Sequence, residues 1–147
     1  MGFRSMLKAG DTAPDVSFVE KNQPVALASF RGKKLVLFFY PKDDTPGCTA
    51  EACSFRDEYQ AFVDADVQVA GVSSDDGSSH DAFAGKHNLP FRLLSDPDEA
   101  ARKAFGIPKT LGLFPGRATF VIDADGNNIE AVWYDTAKAG TPEGESA

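Results

Sequence analysis

The sequence signal that most constrains the fold is an apolar run followed by a loop and the start of a helix. The run LVLFF at residues 35–39 is short and aromatic, as in a buried β-strand. The loop after it is rich in Pro, Asp and Gly. Thr45 is a good N-cap and Pro46 suits the first helical position, where a missing N–H costs nothing, so we expect a helix to begin here. Its apolar residues are spaced four and three apart and predict one buried face: Phe55, Tyr59 and Phe62.

The segments that follow predict parallel strands joined by helices. Residues 67–73 alternate into a second core strand, and strand, helix and strand in this order imply a right-handed crossover and a parallel pair. A helix is expected over residues 79–87 and a short strand over residues 91–94. Another helix is expected over residues 97–105, with Asp96 as its cap and a proline at its first position.

Two predicted hairpins flank these segments. Residues 13–19 and 25–27 form a short N-terminal hairpin, and residues 118–122 pair with residues 128–134 in the second. Residues 106–116 show no periodicity and contain several Gly and Pro, which predicts a long loop. A parallel unit followed by an antiparallel hairpin predicts an α/β fold, with a mixed central sheet and helices on its faces.

Length, charge and cysteine content limit the class of protein. A chain of 147 residues is expected to form one domain over residues 1–147, with a frayed polar tail over residues 136–147. The net charge of −7 argues against non-specific binding to nucleic acid or to an anionic membrane surface, and no apolar run is long enough to span a bilayer. Two cysteines are too few for a disulfide framework, which favours a cytoplasmic location with thiols that cycle between redox states.

Both cysteines, Cys48 and Cys53, belong to the predicted helix. Cys48 falls in its first turn, where unpaired N–H groups and the positive end of the helix dipole favour an anion, so a reactive thiolate is favoured over an inert buried thiol. Five residues apart in a continuous helix, the two Cα atoms are separated by roughly 8–9 Å, whereas a disulfide needs less than about 7 Å. The pair can therefore bridge only after one helical turn unwinds. From spacing alone, Cys53 stays open between a core residue and a redox partner.

Other candidate site residues have plain structural interpretations when each is taken alone. Glu51 is expected to be a helix-surface acid, and Arg117 by itself would be a solvated loop charge. A zinc site formed by His80, His87 and the cysteines is disfavoured because two cysteines five apart in one helix are poorly spaced as ligands. The histidines are expected to cap or pack, and no metal or cofactor is expected.

The segment around the cysteines resembles the peroxiredoxin family. Pro41, Thr45 and Cys48 match its active-site motif Pro-x-x-x-Thr-x-x-Cys, and the continuation CTAEACSFRD is similar to the bacterioferritin comigratory protein, or peroxiredoxin Q, branch. Further matching segments, such as LLSD at residues 93–96 and GRATFVID at residues 116–123, extend the resemblance from about residue 9 to residue 133. Relatives usually finish with an amphipathic helix, and here the last twelve residues carry almost no apolar side chains.

The resemblance implies a thioredoxin-like fold and a role for each matched residue. Cys48 would be the peroxidatic nucleophile and Cys53 the resolving cysteine that condenses with its sulfenic acid. Thr45 would hydrogen-bond the thiolate and the peroxide, and Pro41 would shield the sulfur from water. Arg117 would supply fixed positive charge to the thiolate and to the peroxide oxygens.

The activity that the resemblance implies is thiol-dependent reduction of hydrogen peroxide and organic hydroperoxides by an atypical two-cysteine peroxidase. Thioredoxin or a similar dithiol would reduce the Cys48–Cys53 disulfide by exchange. Relatives in this branch are often monomeric, so a monomer is expected.

Two other functions stay open from the residues themselves. A thiol–disulfide exchange protein would reduce protein disulfides without peroxide, although the chain has no Cys-x-x-Cys pair. A non-catalytic binding module on the same scaffold would have an unreactive Cys48.

Overall fold

The computed structural model of the protein describes residues 6–108, 116–134 and 142–143. Over these residues one sheet of eight strands has the order β2-β1-β5-β4-β3-β6-β7-β8. Its strands are β1 (Ser17–Glu20), β2 (Gln23–Ala26), β3 (Lys34–Phe39), β4 (Val67–Ser73), β5 (Arg92–Ser95), β6 (Arg117–Ile122), β7 (Asn128–Tyr134) and β8 (Pro142–Glu143). The helices are α1 (Pro46–Asp57), α2 (Tyr59–Asp64), α3 (Gly77–His87) and α4 (Ala100–Ala104), with one 3-10 turn at Leu27–Phe30.

The sheet is mixed, as the order of signals predicted. β3 pairs in parallel with β4, and β4 pairs in parallel with β5, whereas β6 lies antiparallel to both β3 and β7. The N-terminal hairpin of β1 and β2 is antiparallel and lies at one edge. The predicted α/β fold with a short N-terminal hairpin is therefore confirmed. Among the described residues, no helix combines the length and the apolar character needed to cross a membrane.

Both faces of the sheet carry a hydrophobic core because successive side chains of β3 point in opposite directions. On one face Leu37 and Phe39 pack in a cluster that includes Phe18, Phe105 and Phe120. The cluster on the other face consists of ten buried residues: Val36, Phe38, Tyr40, Cys48, Ala52, Val69, Phe83, Leu89, Phe91 and Leu93. Cys48 therefore lies within the packed core and not on a solvated loop.

The helix that carries the cysteines is shorter than its apolar spacing suggested. α1 ends at Asp57 and α2 begins at Tyr59, with Glu58 between them outside helical geometry (φ −99°, ψ 6°). The predicted face still packs as expected, since Phe55, Tyr59 and Phe62 all contact the second cluster.

The start of α4 differs from the prediction. The helix begins at Ala100 and not at residue 97, because Glu99 adopts a left-handed backbone (φ 61°) that interrupts a helix through this point. Asp96 nevertheless caps the helix from a distance, since its carboxylate accepts from the N–H groups of Ala101 (3.0 Å) and Arg102 (2.9 Å).

The end of the chain also differs from the prediction where it is described. Within the tail over residues 136–147, which was expected to fray, Pro142–Glu143 form β8 and pair with Trp133 and Tyr134 of β7. The rest of that tail lies outside the described residues, as does most of the loop predicted over residues 106–116.

Candidate active site

The sulfur of Cys48 lies at the start of α1, as the helix signals predicted. Thr45 occupies the N-cap position with an extended backbone, and its carbonyl accepts from the N–H of Thr49 at 2.8 Å. The Thr45 hydroxyl does not cap the helix, however; it donates to the carbonyl of Lys42 at 2.9 Å. Because a hydroxyl has one hydrogen, Thr45 in this arrangement does not donate to the Cys48 thiolate, which differs from the role that the family resemblance implied. Cys48 itself is only 1 % exposed, so its side chain is shielded from solvent beside the first turn of the helix.

The guanidinium group of Arg117 contacts this sulfur. Arg117, the first residue of β6, donates from Nη2 to the Sγ of Cys48 at 3.3 Å and from Nη1 to Glu51 at 2.7 Å. A Cβ atom on Gly47 would lie 3.1 Å from Nη2, so the glycine leaves space for this close approach. Because the guanidinium is buried, solvent screens its charge weakly and its attraction for a thiolate is correspondingly strong.

The neighbours of Arg117 favour its positively charged form. Burial by itself lowers the pKa of Arg117, but the charges of Glu51 and Cys48 and their hydrogen bonds outweigh it, so the pKa is raised above its ordinary value. A permanent positive charge therefore faces the sulfur at any physiological pH.

The expectation that Glu51 is a helix-surface acid is wrong. Its side chain is only 15 % exposed and forms an ion pair with Arg117. Burial raises the pKa of Glu51, and the charge and hydrogen bond of Arg117 offset only part of that rise. The carboxylate occupies one arm of the guanidinium and so leaves the other arm for the sulfur.

Both cysteines are free thiols in this structure and lie in the same unbroken helix. Cys53 is partly exposed, five residues beyond the buried Cys48. An ideal helix separates their Cα atoms by roughly 8–9 Å, which is too far for a disulfide. The structure therefore represents the reduced form, and a bond between the two sulfurs requires local unwinding of α1.

The loop between β3 and α1 is held by a buried polar cluster that the sequence analysis missed. Pro41 lies half-buried in this loop, and Asp43 follows two residues later. The Asp43 carboxylate accepts from the hydroxyl groups of Tyr40 and Ser79 (2.8 Å) and contacts His80 at 2.7 Å. The backbone N–H of Asp43 donates to Asp75 at 2.7 Å. The loop that precedes Cys48 is thus tied to α3 and to the end of β4.

The two histidines make pairs of very different exposure. His80 lies between the carboxylate of Asp43 (2.7 Å) and the carbonyl of Leu94 (3.1 Å) and is buried. His87 contacts Asp44 at 3.1 Å on the surface. Burial alone lowers the pKa of His80, but its hydrogen bond to Asp43 and the charge of that carboxylate outweigh burial, so the pKa is raised. Within the described ranges no group of three or more His, Cys, Asp or Glu side chains is placed to hold a metal ion.

The fold and the site together define a class of thiol protein: a cysteine at the start of a helix, beside an arginine, on a thioredoxin-like mixed sheet. Residues 9–131 match the model of the AhpC/TSA family, and the chain belongs to this family. Peroxiredoxin Q proteins of chloroplasts are among the curated relatives that it resembles. That of Sedum lineare is 46 % identical over 125 residues, which cover 84 % of this chain and 67 % of the relative. That of Arabidopsis thaliana is 50 % identical over 119 residues, which cover 80 % of this chain and 55 % of the relative.

The chain thus spans between about half and two thirds of the length of these curated relatives. Solved structures match over more of their length. Peroxidoxin BcpB from Mycobacterium tuberculosis aligns with a TM-score of 0.79 and 34 % identity, over 86 % of each chain. A peroxiredoxin Q variant from Xanthomonas campestris aligns with a TM-score of 0.79 and 32 % identity, over 90 % of this chain and 92 % of that one. The predicted family and the predicted thioredoxin-like fold are confirmed.

Proposed function

We propose that the protein is a thiol-dependent peroxidase that reduces hydrogen peroxide and organic hydroperoxides, with Cys48 as its nucleophile. The observation that carries this proposal is the contact of 3.3 Å between the Cys48 sulfur and the Arg117 guanidinium, in the first turn of α1. A similar solved structure, 32 % identical with a TM-score of 0.77, is that of a Xanthomonas campestris bacterioferritin comigratory protein with alkyl peroxide reduction activity. The family to which the chain belongs supports the same chemistry.

In the first step the Cys48 thiolate attacks one oxygen of the hydroperoxide. A sulfur–oxygen bond forms, the O–O bond breaks, and the second oxygen leaves as water or an alcohol after taking up a proton. Arg117 would stabilise the negative charge as it moves from the sulfur to the leaving oxygen. The Thr45 hydroxyl donates its hydrogen bond to the backbone carbonyl of Lys42, so its lone pairs are left to accept from the O–H of the peroxide. Pro41 would exclude water from the sulfur.

In the second step the sulfenic acid of Cys48 condenses with the thiol of Cys53. The new disulfide forms as water leaves, and α1 has to unwind because its intact geometry holds the sulfurs apart. A dithiol such as thioredoxin then reduces the disulfide by exchange and becomes oxidised in its place. Cys53 is more exposed than Cys48, which makes it the more accessible sulfur for this partner.

The test is peroxide consumption coupled to thioredoxin, measured for the wild type, Cys48→Ser and Cys53→Ser. We expect Cys48→Ser to lose all turnover. We expect Cys53→Ser to consume about one equivalent of peroxide and then stop, with a sulfenic acid that a dimedone probe detects by mass. Normal turnover in Cys48→Ser would overturn the peroxidase, and full thioredoxin-linked turnover in Cys53→Ser would overturn its resolving role.

The same assay measures the contribution of the arginine. A hydrogen bond to a charged group contributes about 1.5–3 kcal/mol, so Arg117→Met should slow the reaction of Cys48 with peroxide by about 10- to 150-fold. Arg117→Lys is the matched control, since it keeps the charge but loses the two-armed contact that also binds Glu51. It should fall between the wild type and Arg117→Met.

We also propose that residues 1–147 form one domain that acts as a monomer in the cytoplasm, without nucleic-acid or membrane partners. The net charge of −7 supports the absence of anionic partners. Because the similar curated relatives are chloroplastic, subcellular fractionation of the expressed full chain tests the location, and sedimentation velocity tests the monomer.

A further inference from the structure

A second buried guanidinium lies behind the site and has no part in the mechanism described so far. Arg102, in α4, is only 5 % exposed. It donates from Nη1 to the carbonyl of Gly116 and from Nη2 to the carbonyl of Tyr40 at 3.0 Å. Both acceptors are uncharged backbone groups that come from opposite sides of one strand junction.

These two carbonyl groups lie just past the last pair of a strand ladder. β3 and β6 run antiparallel, and their pairing ends in this direction at Phe39 opposite Ala118. Tyr40 is the next residue after Phe39, and Gly116 precedes β6. The two-armed guanidinium of Arg102, called the fork below, therefore joins the ends of β3 and β6 just beyond the hydrogen bonds between these two strands.

Both partners of the contact at the sulfur depend on this junction. The chain leaving Tyr40 enters the loop that leads to Cys48, and Gly116 is bonded directly to Arg117. A rotation of the peptide group at Tyr40 or at Gly116 would shift Arg117 relative to the Cys48 sulfur. Even a small shift would break the hydrogen bond of 3.3 Å between them. By bonding both carbonyl groups, Arg102 limits this movement.

Arg102 is itself held on several sides. Asp96 accepts from its backbone N–H at 2.9 Å, and the guanidinium lies 5.7 Å from the centre of the Phe39 ring. Burial lowers the pKa of Arg102, and the positive charge of Arg117 lowers it further, while the charges of Glu99, Asp96 and Cys48 oppose that shift. A buried cation costs free energy of folding unless its hydrogen bonds are satisfied, and the two carbonyl groups at the strand ends accept from this one.

We propose that Arg102 is a positioning residue for the peroxidase reaction, which holds the ends of β3 and β6 so that Arg117 meets the Cys48 sulfur. The inference rests on the proposed function. The hydrogen bond to the sulfur comes from Arg117, whereas Arg102 reaches Cys48 only through the longer-range attraction of its charge. The positioning role is therefore the part of its effect that depends on Arg117. A displacement of about 1 Å at a reacting centre lowers rates by up to about 100-fold, so the loss of the fork should slow the reaction markedly.

A double-mutant cycle on the full chain tests this directly. The rate of Cys48 with hydrogen peroxide is measured in the wild type, Arg102→Met, Arg117→Met and the double variant. We expect Arg102→Met to slow the reaction by about 10- to 100-fold when Arg117 is present and by less than about 2-fold when it is absent. Equal slowing in both backgrounds, or no slowing in either, would overturn the inference.

Lys103→Met is the matched control, since Lys103 is the exposed neighbouring cation of the same helix. It should leave the rate unchanged; slowing equal to that of Arg102→Met would show a general charge effect and overturn the inference. Arg102→Lys keeps a positive charge but cannot reproduce the fork. It provides a second variant if Arg102→Met fails to fold, and a wild-type rate in Arg102→Lys would also count against the positioning role.

Alkylation of Cys48 by iodoacetamide in a Cys53→Ser background gives a readout that needs no peroxide. The cycle is repeated with this reagent, and the same dependence on Arg117 is expected because thiolate stabilisation controls alkylation too. If the wild type consumes no peroxide, the proposed function fails, and the alkylation cycle still decides whether Arg102 acts through Arg117. Additive effects in that cycle would reject the positioning role alone.

Discussion

Replacing His80 with alanine should destabilise the protein far more than the same change at His87. Both histidines lie on α3 and pair with neighbouring carboxylates of the loop before Cys48. The side chains of His80 and Asp43 are only 4 % and 3 % exposed, whereas that of Asp44 is 44 % exposed. The two variants therefore differ mainly in the burial of the pair that they break.

The magnitude follows from what His80→Ala leaves behind. Removing one partner of a buried ion pair costs about 3–5 kcal/mol, because the other charge stays buried. The hydroxyl groups of Tyr40 and Ser79 still donate to Asp43, so the lower end, about 3 kcal/mol, applies here. For a domain near 150 residues this corresponds to a fall in Tm of about 6–12 °C. His87→Ala should cost less, about 0.5–1.5 kcal/mol, because Asp44 keeps Lys86 as a partner and the main loss is the edge contact of His87 with the Phe83 ring.

The pair also predicts a dependence of stability on pH. Both ring nitrogens of His80 face acceptors, a carboxylate and a carbonyl, so both have to carry protons. The pKa of His80 is raised above its ordinary value of 6.5 by Asp43, in spite of burial. A raised pKa stabilises the folded state fully below the ordinary value, and this stabilisation is lost as pH rises through the pKa of the folded protein.

Urea unfolding of the wild type and both variants, from about pH 5 to about pH 9, checks these expectations. The difference in free energy of unfolding between wild type and His80→Ala should be largest at acidic pH and shrink towards alkaline pH. Asp75 also faces the His80 ring electrostatically, so Asp75→Asn should weaken the trend without removing it. Equal losses in His80→Ala and His87→Ala, or a difference that grows with pH, would refute the reasoning.

Two further pairs of variants test packing and capping. Gly71→Ala should lower the free energy of unfolding by about 1–3 kcal/mol, because its Cβ would lie 2.7 Å from the Phe38 ring. Gly85→Ala has open space around its Cβ and should stabilise α3 by about 0.5–1 kcal/mol. Thermal melts that rank the two variants the other way would contradict this. Asp96→Asn should cost about 1.5–3 kcal/mol, because an amide can replace only one of the two oxygens that accept from α4. Asp98→Asn is its exposed control, with one contact to the N–H of Ala100 at 3.1 Å, and an equally large loss of unfolding free energy there would show that burial is not the cause.

Much of the site was predictable because its signals are local. Thr45 and Pro46 mark the start of α1 through their own backbone preferences, so the place of Cys48 in the first turn could be derived from neighbours in the sequence. The family motif added the candidate roles of Pro41 and Arg117. The function of the Thr45 hydroxyl was less predictable, since its partner, Lys42, lies in a loop without a periodic pattern.

Residues far apart in the sequence could not be paired in the same way. Glu51 resembled a surface acid because nothing near it in the helix indicates burial; its partner lies 66 residues away. Asp43 and His80 are 37 residues apart, and Arg102 and Tyr40 are 62 residues apart.

By itself the sequence determined the order of strands and helices, the helix start that holds Cys48, and the need to unwind α1 before the two cysteines can join. Those properties depend on backbone preferences and spacings within a few turns of chain. Which charges meet at the sulfur and at the loop before it depends on how distant segments pack in three dimensions. The pairing of β3 with β4 and β6 brings these groups together, and that pairing results from burial over both faces of the sheet, to which no short window of sequence is sensitive.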